Sequence, residues 1–238
     1  MLTIRGLTKR FGAHLALEAV DLDVAAGEIH GLVGLNGSGK STLLRVLFGN
    51  AMIRDTGGYA GTVTLDGRPL KLTRAGAALK CGVGMIHQEL ALLPSRSVAE
   101  NVGIGRELAH PLTERLLGRD LALVSRRAEH ARTREALADL GVDIDPGLPV
   151  LRLPVNLKQF VEAARELCKT GLKLLLLDEP TAVLGREDAA RLMAAVREVA
   201  ARGTAVLFVS HRLDEVAALC GRVTVLRDGR VAARLQAA

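Results

Sequence analysis

GLNGSGKST, Gly34 to Thr42, is the stretch on which the reading of this chain turns. Its spacing is G-x-x-x-x-G-K-[ST], a pattern that carries meaning only where a strand precedes it and a helix follows. Both flanks comply: IHGLVG, Ile29 to Gly34, reads as a buried strand, and Ser41 to Phe48 as a helix. Gly34, Gly37 and Gly39, with Asn36 and Ser38 between them, let backbone N–H groups close around phosphates. Lys40 adds a point charge, Ser41 a hydroxyl for Mg²⁺, and Thr42 completes the match. The stretch implies a site for ATP, or a related nucleoside triphosphate, together with Mg²⁺.

Outward from the loop, strands and helices alternate. Leu2 to Arg5 and Val20 to Val24 read as short strands, GTVTLDGRPL as a strand turning at Asp66-Gly67, and VGMIHQ as a buried strand. SVAEN, from Ser97, opens a helix with a capping box of Ser97 and Glu100, after which the chain looks helical and polar to about Leu140. KLLLLDE is a continuous apolar run, as expected for a strand buried on both faces of a parallel sheet. Glu187 to Ala201 is a helix with Leu192, Val196 and Val199 on one face, and TAVLFVS is a second buried strand. His211 to Cys220 then reads as a short helix, and RVTVLRDGRVAAR as a hairpin turning at Asp228-Gly229. The order argues for an α/β core with a helical insertion.

Composition narrows the function classes. The 238 residues are 49% hydrophobic and 24% charged, which is globular rather than disordered. Aromatics at 2% argue against stacking platforms for single-stranded nucleic acid. The net charge of +6 is spread along the chain. Its densest run, SRRAEHARTRE, interleaves acids as a solvated helix face does, so no nucleic-acid partner is expected. Cys81, Cys168 and Cys220 show no CxxC spacing, which fits a reducing compartment. MLTIRGLTKRFG lacks the apolar stretch of a signal peptide, and LKLLLL is too short to span a bilayer. The expectation is a cytoplasmic protein that meets a membrane only through a partner.

Asp178 and Glu179 close the KLLLLDE run. Ligands of parallel sheets bind beyond the carboxyl ends of strands, and successive strand residues point to opposite sides. One carboxylate can face Mg²⁺ while its neighbour faces an attacking water.

The glycine loop, Gln88 after a strand, LLLLDEPT, and VSH ending in His211 together resemble the ATP-binding cassette (ABC) ATPases, over essentially the whole chain. MIHQELALLP, SVAENVGIGRE, SHRLDEV and VTVLRDGR look more particularly like the ATP-binding subunits of bacterial monosaccharide importers. The resemblance implies a P-loop NTPase core with a mainly parallel sheet, an N-terminal antiparallel β subdomain and an inserted α-helical subdomain. Residues 1–238 would form one nucleotide-binding domain, with the insertion at about 90–165. By the same resemblance Phe11 stacks on adenine, and Gln88 reaches Mg²⁺ and the lytic water. Asp178 joins Ser41 at the metal, Glu179 acts as general base, and His211 contacts the γ-phosphate.

One segment departs from the pattern. Where the family carries a signature like LSGGQ, which grips the nucleotide of an opposing subunit, this chain has Leu153-Pro154-Val155-Asn156-Leu157. The serine hydroxyl is absent, and Pro154 has no N–H. Asn156, with Gln159 three residues on, is expected to cap the helix and occupy the N–H groups a phosphate would use. The expected partners are permease subunits, a solute-binding protein acting indirectly, and a second cassette. That cassette would sit in a heteromer or tandem chain rather than a functional homodimer. The leading reading is an ATP-hydrolysing importer subunit on the inner face of the membrane. A nucleotide-gated module with little turnover and a soluble cassette acting on DNA or the ribosome are the alternatives.

Overall fold

The computed structural model describes residues 1–70, 76–110, 115 and 123–236. In chain order its elements are β1 (Leu2–Phe11), β2 (His14–Val24), β3 (Ile29–Val33), α1 (Lys40–Phe48), α2 (Ala51–Asp55), β4 (Ala60–Leu65), β5 (Arg68–Pro69), α3 (Ala77–Lys80) and β6 (Val83–Ile86). After these come α4 (Val98–Gly103), α5 (Arg126–Ala138), α6 (Val155–Leu167), β7 (Leu174–Asp178), α7 (Arg186–Ala201), β8 (Ala205–Val209), α8 (Leu213–Leu219), β9 (Arg222–Arg227) and β10 (Arg230–Gln236). The chain divides into two compact units. The first is Met1–Gln88, Lys169–Ala182 and Val196–Ala238; the second is Glu89–Cys168 and Val183–Ala195.

The first unit holds both sheets. An antiparallel sheet runs β2-β1-β4-β5, and a six-stranded sheet runs β10-β9-β3-β8-β7-β6. All pairings in the larger sheet are parallel except β9 with β10. Every residue of β7 and β8 is buried, which is why both read as unbroken apolar runs. Leu174, Leu176, Leu207 and Val209 join a core completed by β1, β2 and the apolar residues Leu43, Leu44, Val46 and Leu47 of α1. The carboxyl ends of β3, β7 and β8 open on one edge of this sheet, where the glycine loop, Asp178-Glu179 and Ser210-His211 follow.

Two fastenings tie remote segments of the first unit together. The β9–β10 turn has positive φ at Asp228 (50°) and Gly229 (76°), the pairing that a two-residue hairpin of right-handed twist requires. Gly229 donates its N–H to the Ser38 carbonyl at 3.1 Å and accepts from Glu18 N–H at 2.8 Å. A Cβ there would lie 2.8 Å from the Ala16 carbonyl oxygen. The second fastening is Lys9 on β1, only 1% exposed. Its ammonium donates to Ile53 O, Thr56 O, Thr56 Oγ1 and Gly58 O at 3.2, 2.9, 2.8 and 2.6 Å. These oxygens compensate a buried charge that would otherwise be costly, although desolvation still holds the lysine below its ordinary pKa.

The second unit is mainly helical where it is described; within the expected polar helical stretch, residues 104–110 and 123–125 are instead non-helical and meet in an antiparallel bridge at Ala109 and Val124, and residues 111–114 and 116–122 lie outside the described residues. Ser97 and Glu100 form the capping box at α4: Ser97 Oγ accepts Glu100 N–H at 3.2 Å, and Glu100 Oε2 accepts Ser97 N–H at 2.8 Å. At α6 the expectation fails. The N-cap is Pro154, extended at φ −64° and ψ 159°, and no side chain caps the helix. Proline's fixed φ and extended ψ start the helix at Val155. Asn156 therefore lies inside the first turn rather than in front of it, and its amide donates to Asp188 Oδ2 at 3.1 Å. The N-cap Pro154 has no N–H for a return arm to accept, and Gln159, buried with its Nε2 unpaired among the described residues, closes no capping box. The N–H groups of Val155, Asn156 and Leu157 donate to no acceptor among the described residues. This helix entrance is open, not self-capped.

Candidate active site

The glycine loop is built by close approach. At Gly34 a Cβ would stand 2.2 Å from the Leu226 carbonyl oxygen. At Gly39, where φ is 104°, it would stand 2.8 Å from the Ala16 oxygen. Neither position admits another residue without displacing the backbone. The loop satisfies little of its own hydrogen bonding. Ser38 N–H donates to Leu35 O, but the N–H groups of Gly37, Gly39, Lys40, Ser41 and Thr42 have no acceptor among the described residues. Five unpaired donors at the start of α1, beside the helix's positive end, form an anion cradle. Lys40 is 8% exposed and its ammonium donates to Gly34 O at 2.8 Å and Leu35 O at 2.9 Å, so its charge stays at the loop.

Phe11, His14, Ala16, Asn36, Gly37, Gly39, Lys40, Ser41, Thr42, Gln88, Asp178 and Glu179 line one cleft of about 530 Å³. Gly34 and Ser38 lie behind its wall, with Ser38 buried and its Oγ unpaired among the described residues. The Lys9 ammonium sits 4.7 Å from the centroid of the Phe11 ring. Asp178 is buried at the end of β7 and accepts a hydrogen bond from the Ser41 hydroxyl. Burial, and then the Glu179 charge, raise its carboxyl above the ordinary aspartate pKa; Arg45, Lys40 and Ser41 oppose them. Ser41, Asp178 and Gln88 thus bring a hydroxyl, a carboxylate and an amide to the cleft, oxygen donors of the kind a hard divalent cation takes.

Glu179 has φ 50°, uncommon for a residue with a side chain, and donates its N–H to Val209 O at 2.9 Å. That turn aims its carboxylate at His211, whose Nδ1 lies 3.0 Å from Oε2. The sequence-nominated residues of the first unit therefore gather in or beside this one cleft. Sequence reasoning missed His14, which faces Phe11 across the β1–β2 turn and lines the cleft. It also passed over buried Thr181 and Ser210 and the half-buried Glu215 that accepts both hydroxyls, beside Glu179 and His211. The pairing of Phe11 with His14 follows from the two-residue connection between β1 and β2. Nothing in the spacing of the other three signals their contact.

A family profile described as "ABC transporter" matches residues 17–182. The chain is 41% identical to an arabinose import ATP-binding protein of Azospirillum brasilense, over 97% of this chain and 41% of that protein. It is 42% identical to a ribose import ATP-binding protein of Chelativorans sp. (strain BNC1), over 96% of this chain and 41% of that one. It thus spans about two fifths of the length of these curated relatives. Among solved structures, an ATP-binding cassette of an ABC transporter matches with TM-score 0.80 and 26% identity, covering 100% of this chain and 91% of that one. A dimeric cassette in a post-hydrolysis state, bound to ADP and Pi, shares the fold at TM-score 0.82 and 22% identity, covering 100% of this chain and 99% of that one.

Proposed function

The chain belongs to the ABC transporter family of ATP-binding cassettes; on that premise we propose that it binds ATP with Mg²⁺ and hydrolyses it as a subunit of an importer for a monosaccharide or similar small solute. One observation carries the reading: unpaired loop donors, Lys40, the Ser41–Asp178 pair and the Glu179–His211 pair meet at one cleft. In this reading the loop N–H groups and Lys40 bind the phosphates, and Phe11 stacks on adenine. Ser41, Gln88 and Asp178 would hold Mg²⁺, which neutralises triphosphate charge when bound. Glu179 accepts the proton of the attacking water, while His211 orients Glu179 and contacts the γ-phosphate.

Residues 1–238 act as one nucleotide-binding domain, whose helical insertion, about 90–165, meets permease subunits at the inner face of the cell membrane. The kinship to sugar-import ATP-binding proteins supports this. No helix among the described residues is long and apolar enough to cross a bilayer. A solute-binding protein would act through the permease. A second cassette, in a heteromer or in tandem, completes the site. Pro154 offers that partner's nucleotide no hydroxyl, the observation that keeps a gated, low-turnover module as the second reading. The open N–H groups of residues 155–157 remove the stronger argument for it.

Two variants separate the readings. Lys40→Ala should weaken ATP binding at least tenfold, from losing a charge-assisted contact of about 1.5–3 kcal/mol. Glu179→Gln should keep ATP affinity while lowering phosphate release by about 10²–10⁴-fold, measured with permease and second cassette present. A correctly folded parent chain that takes up no ATP in calorimetry would defeat the proposal. Tight binding without turnover in any assembly would favour the gated module.

A further inference from the structure

The strand ends that carry Glu179 and His211 are strapped together by a side chain outside the proposed chemistry. Glu215 lies in the first turn of α8, its side chain 9% exposed. Its Oε2 accepts the Thr181 hydroxyl at 2.6 Å and the Ser210 hydroxyl at 3.3 Å, and Arg212 Nη1 lies 2.7 Å from Oε1. Ser210 Oγ in turn accepts the Arg212 N–H at 3.0 Å. One carboxylate thereby holds the residue before His211, the residue after it, and the second residue beyond Glu179.

Both members of the pair need such support. A non-glycine residue at positive φ is strained and persists only where its surroundings over-determine it. Glu179, at φ 50°, is fixed on one side by its bond to Val209 O. On the other side it is fixed by a turn through Pro180, in which Ala182 N–H donates to Glu179 O at 3.2 Å. Thr181 stands in that turn, and Glu215 anchors it. His211 has a side chain 64% exposed, so packing does not place the ring; the backbone from Ser210 to Arg212 does.

We infer that Glu215 is a positioning residue that sets the Glu179–His211 geometry, an inference that rests on reading those two side chains as the reacting pair. Without it the turn at Pro180 and the segment entering α8 are free to drift apart. The loop that binds the phosphates is built elsewhere, from β3 and α1. Chemistry should therefore suffer while nucleotide affinity does not. An acid that merely favours the start of a helix would alter stability alone.

The test uses the full chain with labelled histidine, as parent, Glu215→Ala, Glu215→Gln and Thr181→Val, each with and without Glu179→Gln. His211 ring resonances are assigned by their loss in His211→Ala. Glu179→Gln should displace them in the parent and in Glu215→Gln, whose amide oxygen still accepts both hydroxyls. In Glu215→Ala the displacement should shrink at least fourfold, with Thr181→Val between. Steady-state turnover should fall about tenfold or more in Glu215→Ala, with KM for ATP within twofold of the parent. Glu215→Gln should recover most of it. If Glu215→Ala fails to fold, Thr181→Val, which removes one hydroxyl, carries the comparison. Resonances unmoved in the parent, equal displacement in the substituted chains, or unchanged turnover would overturn the inference. A parent that binds no ATP would instead sink the functional reading, and the resonance comparison would still decide this one.

Discussion

The imidazole of His30 is boxed between Glu28 Oε1, 2.9 Å from Nδ1, and Thr224 Oγ1, 2.8 Å from Nε2, at the end of β3 away from the cleft. Burial lowers its pKa, partly opposed by Glu28, so the folded protein keeps it neutral where an unfolded histidine would take a proton. The unfolded state then binds more protons as the pH falls below about 6.5, and stability declines with acid. Glu28 adds to this lower down. Although desolvation works against it, its bonds to Arg222, Ala25 and His30 hold its pKa below the ordinary value of 4.5. Its contribution is present above that value and is lost as the pH falls through the folded one. His30→Gln should flatten the fall in unfolding free energy between pH 7 and 5 by at most about 1.4 kcal/mol per pH unit, read from urea titrations across pH. At this scale the sequence revealed Lys40 and Asp178, both lining the cleft, because Lys40 falls at the fixed spacing of the glycine loop and Asp178 closes an unbroken apolar run. It gave no sign of Lys9, whose partners are oxygens of a segment remote in the chain, or of the bond from Thr181 to Glu215 across 34 residues.

At the scale of elements, two similar signals had opposite outcomes. Ser97 and Glu100 form their capping box, and backbone and hydroxyl bonds from Ser97 lower the Glu100 pKa. Ser97→Ala should cost about 1 kcal/mol. In a domain of this size that is a fall in Tm of about 2–4 °C, visible by calorimetry. Asn156 and Gln159 have the same spacing, yet Pro154 starts the helix two residues earlier than that pairing needs, and Asn156 turns to Asp188. The strands were easier to read. Burial on both faces removes the two-residue alternation from β7 and β8, leaving runs of Leu, Val and Phe that only a parallel interior strand accommodates. Strand limits were less legible: β1 extends to Phe11 because its bulged pairing with β2 continues well past Arg5.

Across the whole molecule, the first unit is assembled from three separate stretches of chain, and the sheet order interleaves them. The resemblance of ordered motifs anticipated this architecture because each motif sits at the end of its own strand. What the order could not convey is that the nucleotide loop leans on a turn from far along the chain: Gly229 takes the Ser38 carbonyl and at the same time props β2 through Glu18. During synthesis, then, the loop at residues 34–42 leaves the ribosome long before its buttress does. Chains stalled with β8 exposed but Gly229 still in the exit tunnel should pass through immobilised ATP, and those stalled with β10 fully emerged should be retained, making ligand capture one of the last properties the growing polypeptide acquires.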